Sequence, residues 1–149
     1  MASSVLIVGA GPTGLNLALS LARRGIDFRI VSEAAGAGEH SRAMVVQART
    51  LEFYGQFGFA DELVAQGVVA DAVHILEGGE NSESREVTTI SFKDLGDGIS
   101  PYPFALAYPQ DDHERFLIGK LKALGYEVEW QAKLIVFRAE HDCIRATIQ

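Results

Sequence analysis

A chain of 149 residues with 48% apolar and 22% charged side chains has the make-up of an ordinary soluble globular domain, long enough to bury a core. Its formal charge of −7, with no basic block to offset it, argues against a nucleic-acid or anionic-membrane partner, and no apolar run is long enough to cross a bilayer. The single cysteine, Cys143, excludes an intrachain disulfide and a thiolate metal cluster, in keeping with a reducing, cytoplasmic setting.

The chain opens on Val5-Leu6-Ile7-Val8, short, apolar and rich in β-branched residues, which reads as a buried parallel strand. No basic residue precedes this run and glycines break the apolar stretch behind it, so it is not a signal peptide. Next comes Gly9-Ala10-Gly11-Pro12-Thr13-Gly14, then a helix over residues 12–24, apolar on most faces and expected to be covered from outside. Pro12 suits a first helical position, and Gly25 comes after Arg23 and Arg24 as a glycine stop behind a cationic last turn. The first turn holds no carboxylate, so its N–H groups can meet an outside anion.

The three glycines have separate tasks. Gly9 permits the tight turn, Gly11 lets the backbone approach a pyrophosphate, and Gly14 lets helix and strand pack closely. A second strand, Phe28-Arg29-Ile30-Val31, leads to Glu33, placed to accept hydrogen bonds from ribose hydroxyls. By like-charge repulsion Glu33 disfavours a 2′-phosphate on that ribose. The expected ligand is therefore FAD or NAD rather than NADP.

Residues 34–39 are small and flexible and form a loop, with His40-Ser41-Arg42-Ala43-Met44 after it. Residues 45–57 read as a helix with Leu51, Tyr54 and Phe57 on helical spacing, Gly58 as its cap, and residues 60–66 as a second short helix. The period then changes. Residues 72–77 and 87–92 have strand character around a polar connection, and residues 104–108 are strand-like after a turn-rich stretch. Residues 68–108 are thus expected to form an antiparallel excursion interrupting a parallel core.

A helix returns over residues 110–124, with Phe116, Leu117, Leu121 and Leu124 apolar, Asp111 and Asp112 in its first turn, and Gly125 as its stop. Residues 126–130 read as a third strand lying beside the first, and a hairpin with arms 133–138 and 143–148 closes the chain. The fold class is α/β: a Rossmann-like βαβ core with a parallel sheet, an antiparallel excursion and a terminal hairpin. Arg49 and Glu52 read as a surface pair, and Trp130 and the aromatics from Tyr102 to Tyr108 as core, with Tyr102 or Phe104 the residues that could face a substrate. His40 neighbours the glycine loop, whereas His74, His113 and His141 have no metal-ligand spacing.

Val8 to Gly14, Glu33, Ser41-Arg42-Ala43, Arg49-Thr50-Leu51-Glu52, and Pro109-Gln110 with Glu114 and Leu117 behind it, together resemble the N-terminal part of the FAD-dependent aromatic hydroxylases, the group of p-hydroxybenzoate and phenol hydroxylase. The resemblance runs in order through nearly the whole chain. It implies FAD held by Gly9, Gly11, Pro12, Thr13, Gly14, Glu33, Arg42 and Gln110, with Glu33 on the adenosine ribose and Gln110 on the ribityl chain or flavin. A guanidinium at Arg42 suits a pyrophosphate, and an amide at Gln110 can both donate and accept among ribityl hydroxyls. The implied activity is hydroxylation of an aromatic or polyketide-like substrate by O₂, with NADH or NADPH as electron donor. No catalytic side chain or metal is required.

The family's later flavin motifs, an Asp-Gly and a Gly-Asp, fall beyond residue 149. Residues 1–149 are therefore expected to be the N-terminal part of an FAD-binding domain, with 68–108 reaching toward a substrate domain and a C-terminal segment or a second copy completing it. Two other functions fit the glycine turn: an NAD-dependent dehydrogenase module, and a non-catalytic FAD-binding fragment.

Overall fold

The computed structural model describes residues 3–38, 45–78, 84–92 and 98–149. The chain divides into two compact units, Met1–Arg42 with Gln110–Gln149, and Ala43–Pro109.

In the first unit, β1 (Val5–Val8) pairs in parallel with β2 (Phe28–Val31), Val5 opposite Phe28 and Val8 opposite Val31. Between them runs α1 (Pro12–Arg23), with Leu15, Ala18 and Leu19 buried. Each leucine sealed there contributes roughly 2–3 kcal/mol of transfer free energy. The helix is one-sided rather than apolar all round, since Leu17 remains exposed. Helix α4 (Gln110–Ala123) lies against α1 and buries Leu117 and Leu121. Its charges suit the helix dipole: Asp111 and Asp112 open it, and Lys120 and Lys122 lie in the last turn. Leu124, expected on the apolar face, falls beyond the helix and is exposed.

The third extended segment departs from expectation. Residues 126–130 do not lie beside β1 but run along the other edge of β2, meeting it at a single parallel bridge between Val31 and Glu129. The backbone bonds Glu129 N to Ile30 O and Ser32 N to Glu129 O, both 2.9 Å, make the join. Side chains explain the choice of edge. Arg29 grips Glu129 with two bonds of 2.8 and 2.7 Å, and the Tyr126 ring stacks on Phe28 at 4.8 Å. Gln131, at φ 53°, then turns the chain away before a longer ladder can form. The hairpin of β8 (Leu134–Ala139) and β9 (Ile144–Ile148) forms as expected, with an irregularity between Leu134 and Val136.

The second unit holds β3 (Val45–Val46), α2 (Ala48–Phe57), α3 (Ala60–Val64), β4 (Val68–Ala70), β5 (Ala72–Gly78), β6 (Ser84–Ser91) and β7 (Ala105–Ala107). Val45 and Val46 are a strand, not the start of a helix: two β-branched residues pair antiparallel with Ala107 and Leu106, and α2 begins only after Gln47. Strand β7 lies between β3 and β4, and Leu106 at its centre is fully buried. Leu51 and Tyr54 of α2 and Leu63 of α3 complete this core, with the Tyr54 and Phe59 rings 5.1 Å apart. The β5–β6 hairpin forms a separate two-stranded sheet.

Candidate functional site

The corner between β1 and α1 is built by backbone. Gly9 sits at φ 103°, a conformation that L side chains rarely adopt, and its N–H bonds to Val31 O at 2.8 Å, carrying the β1–β2 ladder into the turn. A Cβ at Gly14 would collide with the Gly9 carbonyl oxygen and lie 3.3 Å from Ile7 Cγ2, so helix and strand meet here at glycine distance. Gly11 is the N-cap, extended and without a side-chain cap bond, and no acidic residue occupies the first turn of α1. Among the described residues, a Cβ on Gly11 would meet only Glu114 Oε1, at 3.9 Å. Among the described residues the positive helix end faces a cleft, the setting in which a helix N-terminus can meet an anion.

That space is an open cleft of about 400 Å³. Its walls are Ala10 and Gly11 of the corner, Ser32 and the small residues of the loop from Ala34 to Gly38, Gln110 and Glu114 of α4, and Trp130. Glu114 is buried, and each of its oxygens has a donor: the Gly38 N–H at 2.9 Å on Oε2 and the Gln110 side-chain amide at 2.8 Å on Oε1. Its neighbour His113 is also buried. Burial pushes the His113 imidazole below its usual pKa, against the opposing pull of the Glu114 charge.

Of the residues expected from sequence, Gly11 and Gln110 line the cleft, Gly9 and Gly14 form the corner behind it, and Pro12 and Thr13 are the first residues of α1. Glu33 stands between two lining residues, Ser32 and Ala34, but its own carboxylate is exposed and lies 3.0 Å from Lys133 Nζ. Arg42, with His40, Ser41, Ala43 and Met44, lies outside the described residues. Arg49 and Glu52 are paired on the α2 surface at 2.8 Å. Tyr102 and Phe104 are half-buried, ring to ring at 6.1 Å, and burial together with the Asp61 charge raises the Tyr102 phenol above its usual pKa. Among the described residues no group of His, Cys, Asp and Glu is placed to hold a metal.

Two residues of the cleft carried no role in the sequence reading. Trp130, taken for core, is half-buried and forms a wall. Glu114 stood behind Gln110 in the family motif, and the signal was its spacing, one helical turn on, which brings both side chains to one face.

A cleft floored by a glycine corner, facing a helix end free of acids and bordered by small residues fits the diphosphate of a dinucleotide. The sequence model of the family described as "FAD binding domain" matches residues 2–149. The chain belongs to this family. The cofactor of the domain is FAD.

This FAD-binding domain is 42% identical over 134 residues to a 6-methylpretetramide 4-monooxygenase of Streptomyces rimosus, an alignment covering 87% of the chain and 22% of that protein. It is 30% identical over 150 residues to a pentachlorophenol 4-monooxygenase of Sphingobium chlorophenolicum, covering 99% and 26%. The crystal structure of p-nitrophenol 4-monooxygenase PnpA from Pseudomonas putida superposes with a TM-score of 0.86 at 22% identity, over 98% of the chain and 36% of that structure, a likeness of fold. The domain therefore spans between about a fifth and two fifths of the length of these proteins. Among the described residues no helix is long and apolar enough to cross a membrane.

Proposed function

We propose that this FAD-binding domain serves a monooxygenase that hydroxylates an aromatic or polyketide-like small molecule with O₂, using NADH or NADPH as electron donor. The observation that carries the reading is the glycine corner opening on a cleft of small residues, together with relatives whose names specify monooxygenation of a pretetramide and a chlorophenol. When bound, FAD supplies the redox and oxygen chemistry. The chain's residues bind it, orient it and exclude water.

In this reading the first-turn N–H groups of α1, reached over Gly11 and flanked by Pro12 and Thr13, hold the diphosphate, with Arg42 adding a forked, permanently charged partner. Glu33 takes the adenosine ribose, which requires its carboxylate to leave Lys133. Gln110 meets the ribityl chain or flavin from the cleft wall. We place residues 68–108 toward a substrate domain, a reading supported by apolar side chains exposed along β5 and β6, among them Ile75, Leu76 and Val87. A broad groove of about 1160 Å³ between β1 and the β8–β9 hairpin, lined by Val8, Phe137 and Ile144, supports a further segment or a second copy covering that side. The protein is read as cytoplasmic.

The test uses the full-length protein, purified natively and supplemented with FAD. It should show flavin bands at about 375 and 450 nm and consume NADH or NADPH with O₂ when a phenolic or polyketide aromatic is added. A colourless protein that refuses FAD, or one from which NAD displaces FAD, overturns the reading in favour of a dehydrogenase module.

A further inference from the structure

Glu33 and Lys133 stand on two loops that are laced together. Gln131 N donates to Ala34 O and Ala132 N to Ser32 O, both at 2.9 Å, so main-chain bonds close on either side of Glu33. One residue on, Lys133 exchanges both its main-chain bonds with Gln149, at 2.7 and 2.9 Å, and its Nζ lies 3.0 Å from Glu33 Oε2. The Lys133 and Glu33 side chains are 62% and 67% exposed, and an ion pair so wet contributes little to stability. Either partner can therefore leave for a ligand, while the backbone bonds keep the other within reach.

A carboxylate and an ammonium side by side answer to opposite chemistry at one sugar position. The hydroxyls of a free ribose donate, and the carboxylate accepts from them. A 2′-phosphate is an anion, repelled by the carboxylate and drawn to the ammonium. We propose that Lys133 is a specificity-determining residue of the nucleotide site: Glu33 takes a free ribose diol, and the Lys133 ammonium offsets part of the repulsion that Glu33 exerts on a 2′-phosphate. Discrimination against a 2′-phosphorylated nucleotide then belongs to the pair and is weaker than Glu33 alone would impose. This rests on the proposed contact of Glu33 with the adenosine ribose.

The probes are ADP-ribose and ADP-ribose phosphorylated at the adenosine 2′ position, each displacing FAD from the full-length protein at low salt, read by flavin fluorescence. In Lys133→Met the Kd of the 2′-phosphate should rise about tenfold, the effect of losing one cation beside a doubly charged anion in water. ADP-ribose should bind no worse and up to about threefold tighter, since its ribose has no ammonium to displace. Lys133→Arg keeps the charge and should hold both values within about threefold of wild type. Raising the salt to about 0.5 M should shrink the effect of Lys133→Met, because exposed charges are screened. Glu33→Gln should act in the opposite sense, weakening ADP-ribose and tightening its 2′-phosphate. The thermal midpoint of each variant should stay within about 2 °C of wild type, since the pair is exposed and the main-chain bonds are untouched.

An unchanged ratio of the two Kd values in Lys133→Met, with Glu33→Gln lowering that ratio, overturns the proposal and leaves the discrimination to Glu33 alone. Equal losses for both nucleotides in Lys133→Met overturn it as well, reducing Lys133 to a general attraction for anions. If Glu33→Gln binds ADP-ribose as wild type does, the ribose contact of Glu33 falls and the proposal with it. A full-length protein that binds ADP-ribose but refuses FAD removes the functional reading beneath both.

Discussion

The glycine corner and the β5–β6 hairpin are both made of short strands and turns, yet they are determined in opposite ways. At the corner every backbone choice is forced by a contact within the motif: Gly9 by its positive φ, Gly14 by the carbonyl that a Cβ would strike, Pro12 by its place at the head of α1. The hairpin is paired from Ala72 opposite Ser91 to Gly78 opposite Ser84, with a shift of register between Ile75 and Leu76, but leaves Val73, Ile75, Leu76, Val87 and Ile90 exposed. One region is closed around its own atoms and open only to a ligand. The other satisfies its backbone and leaves its side chains uncovered. A substitution of equal size should therefore have very unequal effects in the two.

The sharpest break is Gly14→Ala. The added methyl meets the Gly9 carbonyl and Ile7, groups fixed by the β1–β2 ladder, so relief requires α1 to lift from the sheet. We expect a loss of at least about 3 kcal/mol in urea unfolding and no retained FAD. A variant that keeps its midpoint and its flavin would show that the close approach is not what holds the corner.

How much of this was legible in the sequence obeys the same division. The corner, α1 and the two-strand start were readable because Gly, Pro and Arg at those positions act within a few residues. Strand β3 was not, because two valines become a strand only by meeting Leu106 and Ala107, some sixty residues on. The edge chosen by residues 126–130 was hidden for the same reason: it is decided by Arg29 with Glu129, 100 residues apart, and by Phe28 with Tyr126. The burial of Glu114 could not be read from α4 alone, since one of its donors is the distant N–H of Gly38. The exposed pairing of Glu33 with Lys133 likewise joins two loops that local pattern does not connect.

Trp130 tests whether the open side of the corner is a ligand surface. It is the only tryptophan in the chain and lines the cleft with Ser32 and Ala34, so its fluorescence should be quenched by ADP. Stacking of a base on an aromatic ring is worth about 1–3 kcal/mol, so Trp130→Ala should weaken ADP binding about tenfold or more, and Trp130→Phe much less. An unquenched Trp130, with ADP affinity unchanged in the alanine variant, would place the adenine elsewhere.

A smaller effect concerns His113, buried on α4 next to Glu114. The His113 pKa is lowered in the fold, chiefly by burial, so the unfolded chain binds the proton more readily than the native one. The associated stability is fully present above about pH 6.5 and is lost as pH falls from there through the lowered native value. His113→Gln should flatten the decline of unfolding free energy with pH in that window. The carboxylate of Glu129, held below its usual range by its bonds to Arg29, acts in a separate and more acid window, so the slope below about pH 4.5 should remain in this variant. An unchanged slope between about pH 6.5 and 5 would mean that His113 is no more desolvated in the fold than in the unfolded chain.

The smallest expected change lies in the hairpin and carries the comparison to its conclusion. Ile75 is 44% exposed and paired opposite Thr88. Ile75→Thr keeps β-branching and the backbone ladder while removing exposed apolar surface, so the 149-residue chain should change by no more than about 0.5 kcal/mol in urea unfolding. If the hairpin reaches a substrate domain, the same substitution in the full-length protein becomes a change at a covered position and should cost about 1 kcal/mol or more. The gap between the two measurements is the quantity of interest. A closed corner has no reason to behave differently in the short and long proteins, whereas a hairpin that waits for cover must. Identical small effects in both would mean that β5 and β6 stay solvated, and that the open apolar face is not a domain contact.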